Sequence, residues 1–257
     1  MSMAKIKIIN TTDIDFGNEK ELENKIERYS NLPECRINLI FLNKDLPYPD
    51  YQGVFVSKDL IKCERKSSEY LNIGTDPKGT GNTPDFKWDC YVAISKKWCD
   101  KRNEYPAFFK FLIGHELGHA KIYLSDENLH IHSCLIKGCI ECASNGRIKP
   151  SGELPHEILC DKFGKYFSHQ FYDEPKKLED EIDKLIINSD CEDSKNFSLI
   201  KNVKPTNNFE GLKESLIKFS MPYKEKLIKL WEKSVEINGE YSLASKIGDY
   251  ETLFQST

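Results

Sequence analysis

Residues 106–124 read PAFFKFLIGHELGHAKIYL, and the architecture turns on this stretch. Phe108, Phe109, Phe111, Leu112, Ile113, Leu117 and Ile122 surround most of a helical wheel, so the spacing predicts a helix that is buried around much of its circumference. Pro106 stands at its start, where the missing N–H costs nothing. His115 and His119 are four residues apart, so both imidazoles lie on one face and can reach one ion. Glu116, the next residue along, faces the same ion from one step away. An unpaired buried carboxylate is strongly unfavourable, so a metal-centred network accounts for these three polar groups better than a solvent-facing stripe does. Gly114 and Gly118 each cost about 1 kcal/mol inside a helix, which close approach of a neighbouring backbone would explain.

His115-Glu116-Leu117-Gly118-His119 is the HExxH arrangement of zinc hydrolases. There two neutral imidazoles hold Zn²⁺, an open position takes water, and the glutamate serves as general base, here Glu116. Two histidines leave the ion short of a protein ligand, and three routes compete to supply it. A metzincin would place a histidine six residues after His119, where this chain has Ser125, and would need a methionine turn, yet after Met3 the next methionine is Met221. An archaemetzincin-like peptidase with a different third ligand is one alternative, because Cys134-x4-Cys139 is similar to the cysteine spacing of that family. His130 or His132 would require a tight return of the chain after the helix.

The third route lies in Leu154–Phe171, LPHEILCDKFGKYFSHQF, predicted as a helix with Pro155 near its start and Glu157 and Asp161 on one face. HELGH followed by Glu157-x-x-x-Asp161 resembles the gluzincins, the thermolysin-like zinc peptidases. Glu157 to Gly164 is similar to their ExxxDxFG stretch, and to the ExxA[ND]xFA stretch of ImmA/IrrE-type peptidases, with Cys160 in the small-residue slot. The resemblance covers two short helices. It implies a zincin-like fold, peptide hydrolysis, Glu157 as third zinc ligand and Asp161 as hydrogen-bond partner of a zinc-bound histidine. No downstream residue matches the oxyanion-stabilising histidine or tyrosine of the family; Tyr166 and His169, on the Glu157 helix, are the local candidates.

Upstream, Lys5–Ile9 reads as a strand, Glu19–Tyr29 as a helix and Arg36–Leu42 as a buried strand, a β-α-β opening. Tyr48–Asp50 is turn material, Gly53–Ser57 a short strand, a helix is expected from Asp59, and Asn72–Pro84 has the composition of a surface loop. Trp88–Ser95 is the last strand before the motif helix and the candidate edge to which an extended peptide would add. Between the two site helices, Ser125–Gly152 forms an excursion near the mouth of the site, with Cys134, Cys139 and Cys142. Those cysteines either hold a second zinc with His130, His132 or Cys160, or are reduced thiols in an irregular loop. From Pro175 the chain alternates charge and aliphatics: an amphipathic helix, a polar linker near Cys191–Asn208, then further helices broken at Pro222.

The 257 residues carry 39% hydrophobic and 30% charged side chains, as expected of a soluble globular chain. A formal net charge of -4 provides no basic field for nucleic acid. No signal-peptide or membrane-spanning run is present, so a cytoplasmic protein with mostly reduced cysteines is expected. The expected organisation is α+β: a zincin-like catalytic domain over residues 1–172, with a small mixed sheet packed on the HExxH helix, and a helical extension over 173–257 packing on it. Its partner would be a peptide or protein substrate, with the C-terminal helices free to contact another protein. The competing class is a non-catalytic zincin-like regulatory or binding module.

Overall fold

The computed structural model describes residues 4–44, 46, 52–57, 89–143, 153–172, 176–238 and 243–254. The expected turn at Tyr48–Asp50, the helix from Asp59 and the loop Asn72–Pro84 lie outside these residues. Strand β1 (Lys5–Asn10), helix α1 (Glu19–Ser30) and strand β2 (Arg36–Phe41) form the predicted opening. Strands β3 (Gly53–Ser57) and β4 (Cys90–Ile94) complete a four-stranded sheet in the order β1-β2-β4-β3. The first two pairings are parallel and β3 runs antiparallel to β4, so the sheet is mixed.

The expected edge is therefore misplaced. β4 lies between β2 and β3, and among the described residues Gly53–Ser57 is the outermost strand on that side. All five β4 residues are buried, a pattern produced by a strand covered on both faces and paired on both sides.

Helix α2 (Lys96–Lys101) leads into α3 (Pro106–Ser125), the motif helix, which packs across β3 and β4. Ile37, Leu39 and Phe41 of β2 and Val92 and Ile94 of β4 meet Phe108, Phe109, Phe111 and Leu112 of α3 in the main core. A smaller cluster of Ile40, Leu42, Val56, Tyr91 and Ala93 lies on the other face of the sheet. Chain direction and strand alternation thus put apolar side chains on both faces.

The first part of the excursion after α3 is not an irregular loop. Glu127–Ala143 forms a helix, α4, because Leu129, His132, Ile136 and Cys139 recur at spacings of three and four and supply a buried face. His132 occupies an apolar slot of that face, which hides the periodicity when histidines and cysteines are counted as ligands. Helix α5 (Pro155–His169) follows and makes the most extensive helix contact in the molecule with α3.

Beyond it come α6 (Lys176–Asn188) and α7 (Cys191–Asn202). α7 replaces the expected polar linker. Phe197 and Ile200, three residues apart and both buried, give the segment enough of an apolar face to dock, and Phe197 meets Phe108 edge-on at 5.5 Å between ring centroids. Helices α8 (Leu212–Ser220) and α9 (Lys224–Asn238) are separated by a short turn, Met221–Tyr223, where Pro222 interrupts the helix as expected. The residues on either side of position 172 share cores: Leu178, Ile182, Phe197 and Ile200 belong to the main one. Leu212, Leu216, Leu227, Tyr250 and Phe254 enclose the buried face of α4. Among the described residues no helix is long and apolar enough to cross a membrane.

Among the polar contacts that tie the C-terminal helices to this framework, two are buried. Tyr105, at the N-cap of α3, makes no side-chain cap bond; instead the carboxylate of Glu181 on α6 accepts the Phe108 N–H at 2.8 Å. Glu181→Ala is expected to cost about 1–2 kcal/mol in denaturant unfolding, and Glu181→Gln less, since an amide still accepts the bond but lacks charge for the helix dipole. Equal stability of Glu181→Ala and wild type would show the cap to be ornamental.

The second contact is a buried chain of donors. Ser220 Oγ donates to the Ile217 carbonyl at 3.1 Å, His132 Nε2 lies 3.2 Å from that Oγ, and Tyr250 Oη lies 2.7 Å from His132 Nδ1. The partners suit a neutral ring, with Tyr250 donating and Nε2–H donating onward. Burial pushes the His132 pKa down from 6.5 to about 4. Between those values the unfolded chain takes up a proton that the fold refuses, so stability is expected to fall on acidification from pH 6.5 towards 4, by roughly 1.4 kcal/mol per unit for this group. Urea titrations of wild type and His132→Gln at pH 7 and pH 5 test this: the variant should lose less stability between the two.

Candidate metal centre

Three ligand atoms come together from two helices. His115 and His119 project from one face of α3, and Glu157 projects from the first turn of α5. His115 Nε2 and His119 Nε2 are 3.3 Å apart, and Glu157 Oε2 is 3.3 Å from each, so the three atoms form an equilateral triangle. Ligands about 2.0–2.1 Å from a tetrahedral ion are roughly 3.3–3.4 Å apart, so the triangle fits such an ion. The histidine side chains retain 17% and 14% of their exposure, so neither is wholly enclosed.

The helix pair is close because small residues lie at the crossing. A Cβ on Gly118 would come within 3.1 Å of the Cys160 backbone, and one on Gly164 within 2.8 Å of the Phe111 carbonyl oxygen. Asp161, one helical turn beyond Glu157, has Oδ1 2.8 Å from His115 Nδ1. A carboxylate there accepts the ring N–H and turns Nε2 towards Glu157 and His119.

Glu116 is buried and lies beneath β3. A Cβ on Gly53 would stand 2.9 Å from Glu116 Cγ and Oε1, so a side chain at that position would require the Glu116 carboxylate to shift. Burial, reinforced by the charges of Glu157 and Asp161 and opposed by His115, pushes the Glu116 pKa up to about 7. Burial also raises Asp161, against its bond to His115. For His115, burial opposes protonation, but the bonds to Asp161 and Glu157 prevail and raise its pKa. For Glu157, burial acts upward and is overcome by His119, Lys137 and His115, so its carboxyl is held well below the usual range. Burial pushes His119 down to about 4. Three carboxyl groups, a lysine and three imidazoles, His156 included, thus lie close together.

Two residues at the centre carried no signal in the sequence. Lys137, from α4, places Nζ 3.3 Å from Glu157 Oε1, and His156 Nε2 lies 3.5 Å from the same oxygen. Lys137 has no local pattern distinguishing it from the other lysines, and His156 is overshadowed by its neighbour Glu157.

Other expected residues are placed elsewhere. Among the described residues, His115, His119 and Glu157 are the only group of three or more metal-competent side chains within reach of one another. Cys134 and Cys139 are five positions apart on α4 and so point to different sides; Cys134 is exposed with Sγ 3.8 Å from His130 Nε2, whereas Cys139 is buried in the α4 core. His132 is engaged by Tyr250 and Ser220, and Cys160 sits against Gly118. Among the described residues none of these joins a second ligand set, and the Cys142 side chain lies outside them. Tyr166 stacks on Phe163, and His169 Nε2 is 3.8 Å from Glu179 Oε1. They are nine and twelve residues along α5 from Glu157, roughly 13 and 18 Å by helical rise, so neither faces the triangle.

Comparison with protein-family models, curated proteins and solved structures finds no match to this chain.

The two carboxylates of α5 should separate by role. Glu157→Ala removes a corner of the triangle and is expected to abolish most metal uptake, whereas Asp161→Asn is expected to weaken it by about 10 to 100-fold while leaving the ligand set intact. Metal content after dialysis and competition with a chelator distinguish the two; equal retention would reverse the assignment.

Proposed function

We propose that the chain is a zinc-dependent metallopeptidase in which His115, His119 and Glu157 hold the ion and Glu116 is the general base. The observation that carries this is the 3.3 Å triangle of two imidazole nitrogens and one carboxylate oxygen with a second buried carboxylate beside it. The donor set of two histidines and a glutamate suits zinc in a site that keeps one position open. Zinc bound there would polarise a peptide carbonyl and lower the pKa of water to near neutrality.

The chain's own groups supply the rest. Glu116, buried beside the triangle, would take a proton from the attacking water and return it to the leaving amine. A purely structural ion has no use for such a base. Asp161 fixes the tautomer and orientation of His115. Strand β3, outermost among the described strands and adjoining Glu116 at Gly53, is where an extended peptide would add, drawing a scissile bond across the site. The substrate class that follows is a peptide or a protein segment able to become extended. The HELGH and Glu157-x-x-x-Asp161 pairing, with its resemblance to gluzincins, supports the same reading.

Purified protein should contain about one zinc per chain, and hydrolysis of a peptide library should stop on chelation and return with added zinc. Glu116→Gln is expected to lower the rate by about 10²–10⁴-fold with zinc content unchanged. Hydrolysis that survives both chelation and Glu116→Gln would overturn the proposal. Wild-type protein that binds zinc and peptide but cleaves neither peptide nor protein would be a binding module instead.

A further inference from the structure

The two oxygens of Glu157 are used differently. Oε2 faces His115 Nε2 and His119 Nε2, each at 3.3 Å, while Oε1 is 3.3 Å from Lys137 Nζ and 3.5 Å from His156 Nε2. Lys137 belongs to neither ligand-bearing helix; it comes from α4, whose buried face is set by Leu129, His132, Ile136 and Cys139. Its side chain keeps 29% exposure, so the ammonium is partly solvated while its attraction to a nearly buried carboxylate acts through a low-dielectric surround. His156 is only 4% exposed and its Nδ1 has no hydrogen-bond partner among the described residues, so packing and not a bond at that atom fixes the ring.

We infer that Lys137 is a positioning residue that makes Glu157 a one-oxygen ligand, holding Oε1 away so that Oε2 alone is offered to the ion. The inference rests on a metal occupying the triangle. A carboxylate with both oxygens unengaged can turn and bind an ion through both, which fills a further coordination position and passes more negative charge to the metal. A carboxylate whose second oxygen is held by an ammonium does neither. Its donation is weakened, the ion stays more electrophilic, and a position stays open for substrate or water, as hydrolytic zinc sites require. The third helix of the site thus controls how the ligand binds without touching the ion.

A merely supporting lysine would behave differently, and the difference is measurable. Lys137→Met and Lys137→Arg are compared with wild type for zinc affinity by chelator competition, for the visible absorption of the cobalt(II)-substituted protein, and for peptide hydrolysis. Lys137→Met should bind zinc at least as tightly as wild type, because a two-oxygen ligand gains a bond. Its cobalt band should weaken, as happens when a four-coordinate ion becomes five-coordinate, and hydrolysis should drop about 10 to 100-fold. Lys137→Arg keeps a donor and should restore the wild-type spectrum. An unchanged cobalt band in Lys137→Met, or zinc affinity that falls in step with activity, would overturn the inference. If wild type cleaves no peptide while the cobalt bands still differ, the peptidase reading fails and the role of Lys137 stands. Wild-type protein that takes up neither metal overturns both.

Discussion

The contact on which the site depends is the close crossing of α3 and α5. Gly118 lies against Cys160 and Gly164 against the carbonyl of Phe111; a Cβ on Gly164 would stand 2.8 Å from that oxygen and force the backbones apart, while one on Gly118, 3.1 Å from the Cys160 backbone, would need a shift of a few tenths of an ångström. Phe111, Phe163 and Phe167 pack around the crossing, and Ser168 Oγ donates to the Ala107 carbonyl at 2.7 Å near one end. Close-packed interiors transmit such constraints with little slack. A ligand triangle with 3.3 Å edges tolerates little displacement, because a shift of a few tenths of an ångström in one helix changes each metal–ligand distance by a similar amount.

Packing alone would not keep Glu116, Glu157 and Asp161 together. Three carboxyl groups in one pocket repel when ionised, and each loses hydration on burial. The opposite directions of their shifts express the conflict: Glu116 and Asp161 are raised by burial, while Glu157 is held low by His119, Lys137 and His115. Such groups titrate as a unit. In the proposed metal-bound form a divalent cation at the triangle would relieve that repulsion.

The C-terminal helices contribute to the frame that holds this centre. Glu181 of α6 caps α3, Lys165 of α5 donates to the Lys201 carbonyl of α7 at 3.1 Å, and Tyr250 anchors α4 through His132. The segment read as an appendage therefore supports all three helices of the site, α4 included, from which Lys137 reaches Glu157. Its apolar residues enter the same clusters as those of the first 172 positions, which is why composition alone could not tell an accessory tail from part of the core.

What the sequence determined by itself was local. Histidines four apart, a carboxylate pair four apart and the apolar belts around them follow from helical period, so His115, His119, Glu157 and Asp161 were legible as two faces of two helices. The β-α-β opening, the strand Gly53–Ser57 and the Pro222 break were legible for the same reason. Where periodicity was masked, the sequence misled: His132 and Cys139 sit in the apolar face of α4, and only Phe197 and Ile200 betray α7. Strand order, the passage of β3 over Glu116, and the arrival of Lys137 at Glu157 Oε1 were decided by tertiary structure. A run of buried residues specifies a strand but not its neighbours, and a lone lysine has no period. Contacts between segments far apart in the chain depend on how apolar faces pack in three dimensions, which no local spacing encodes.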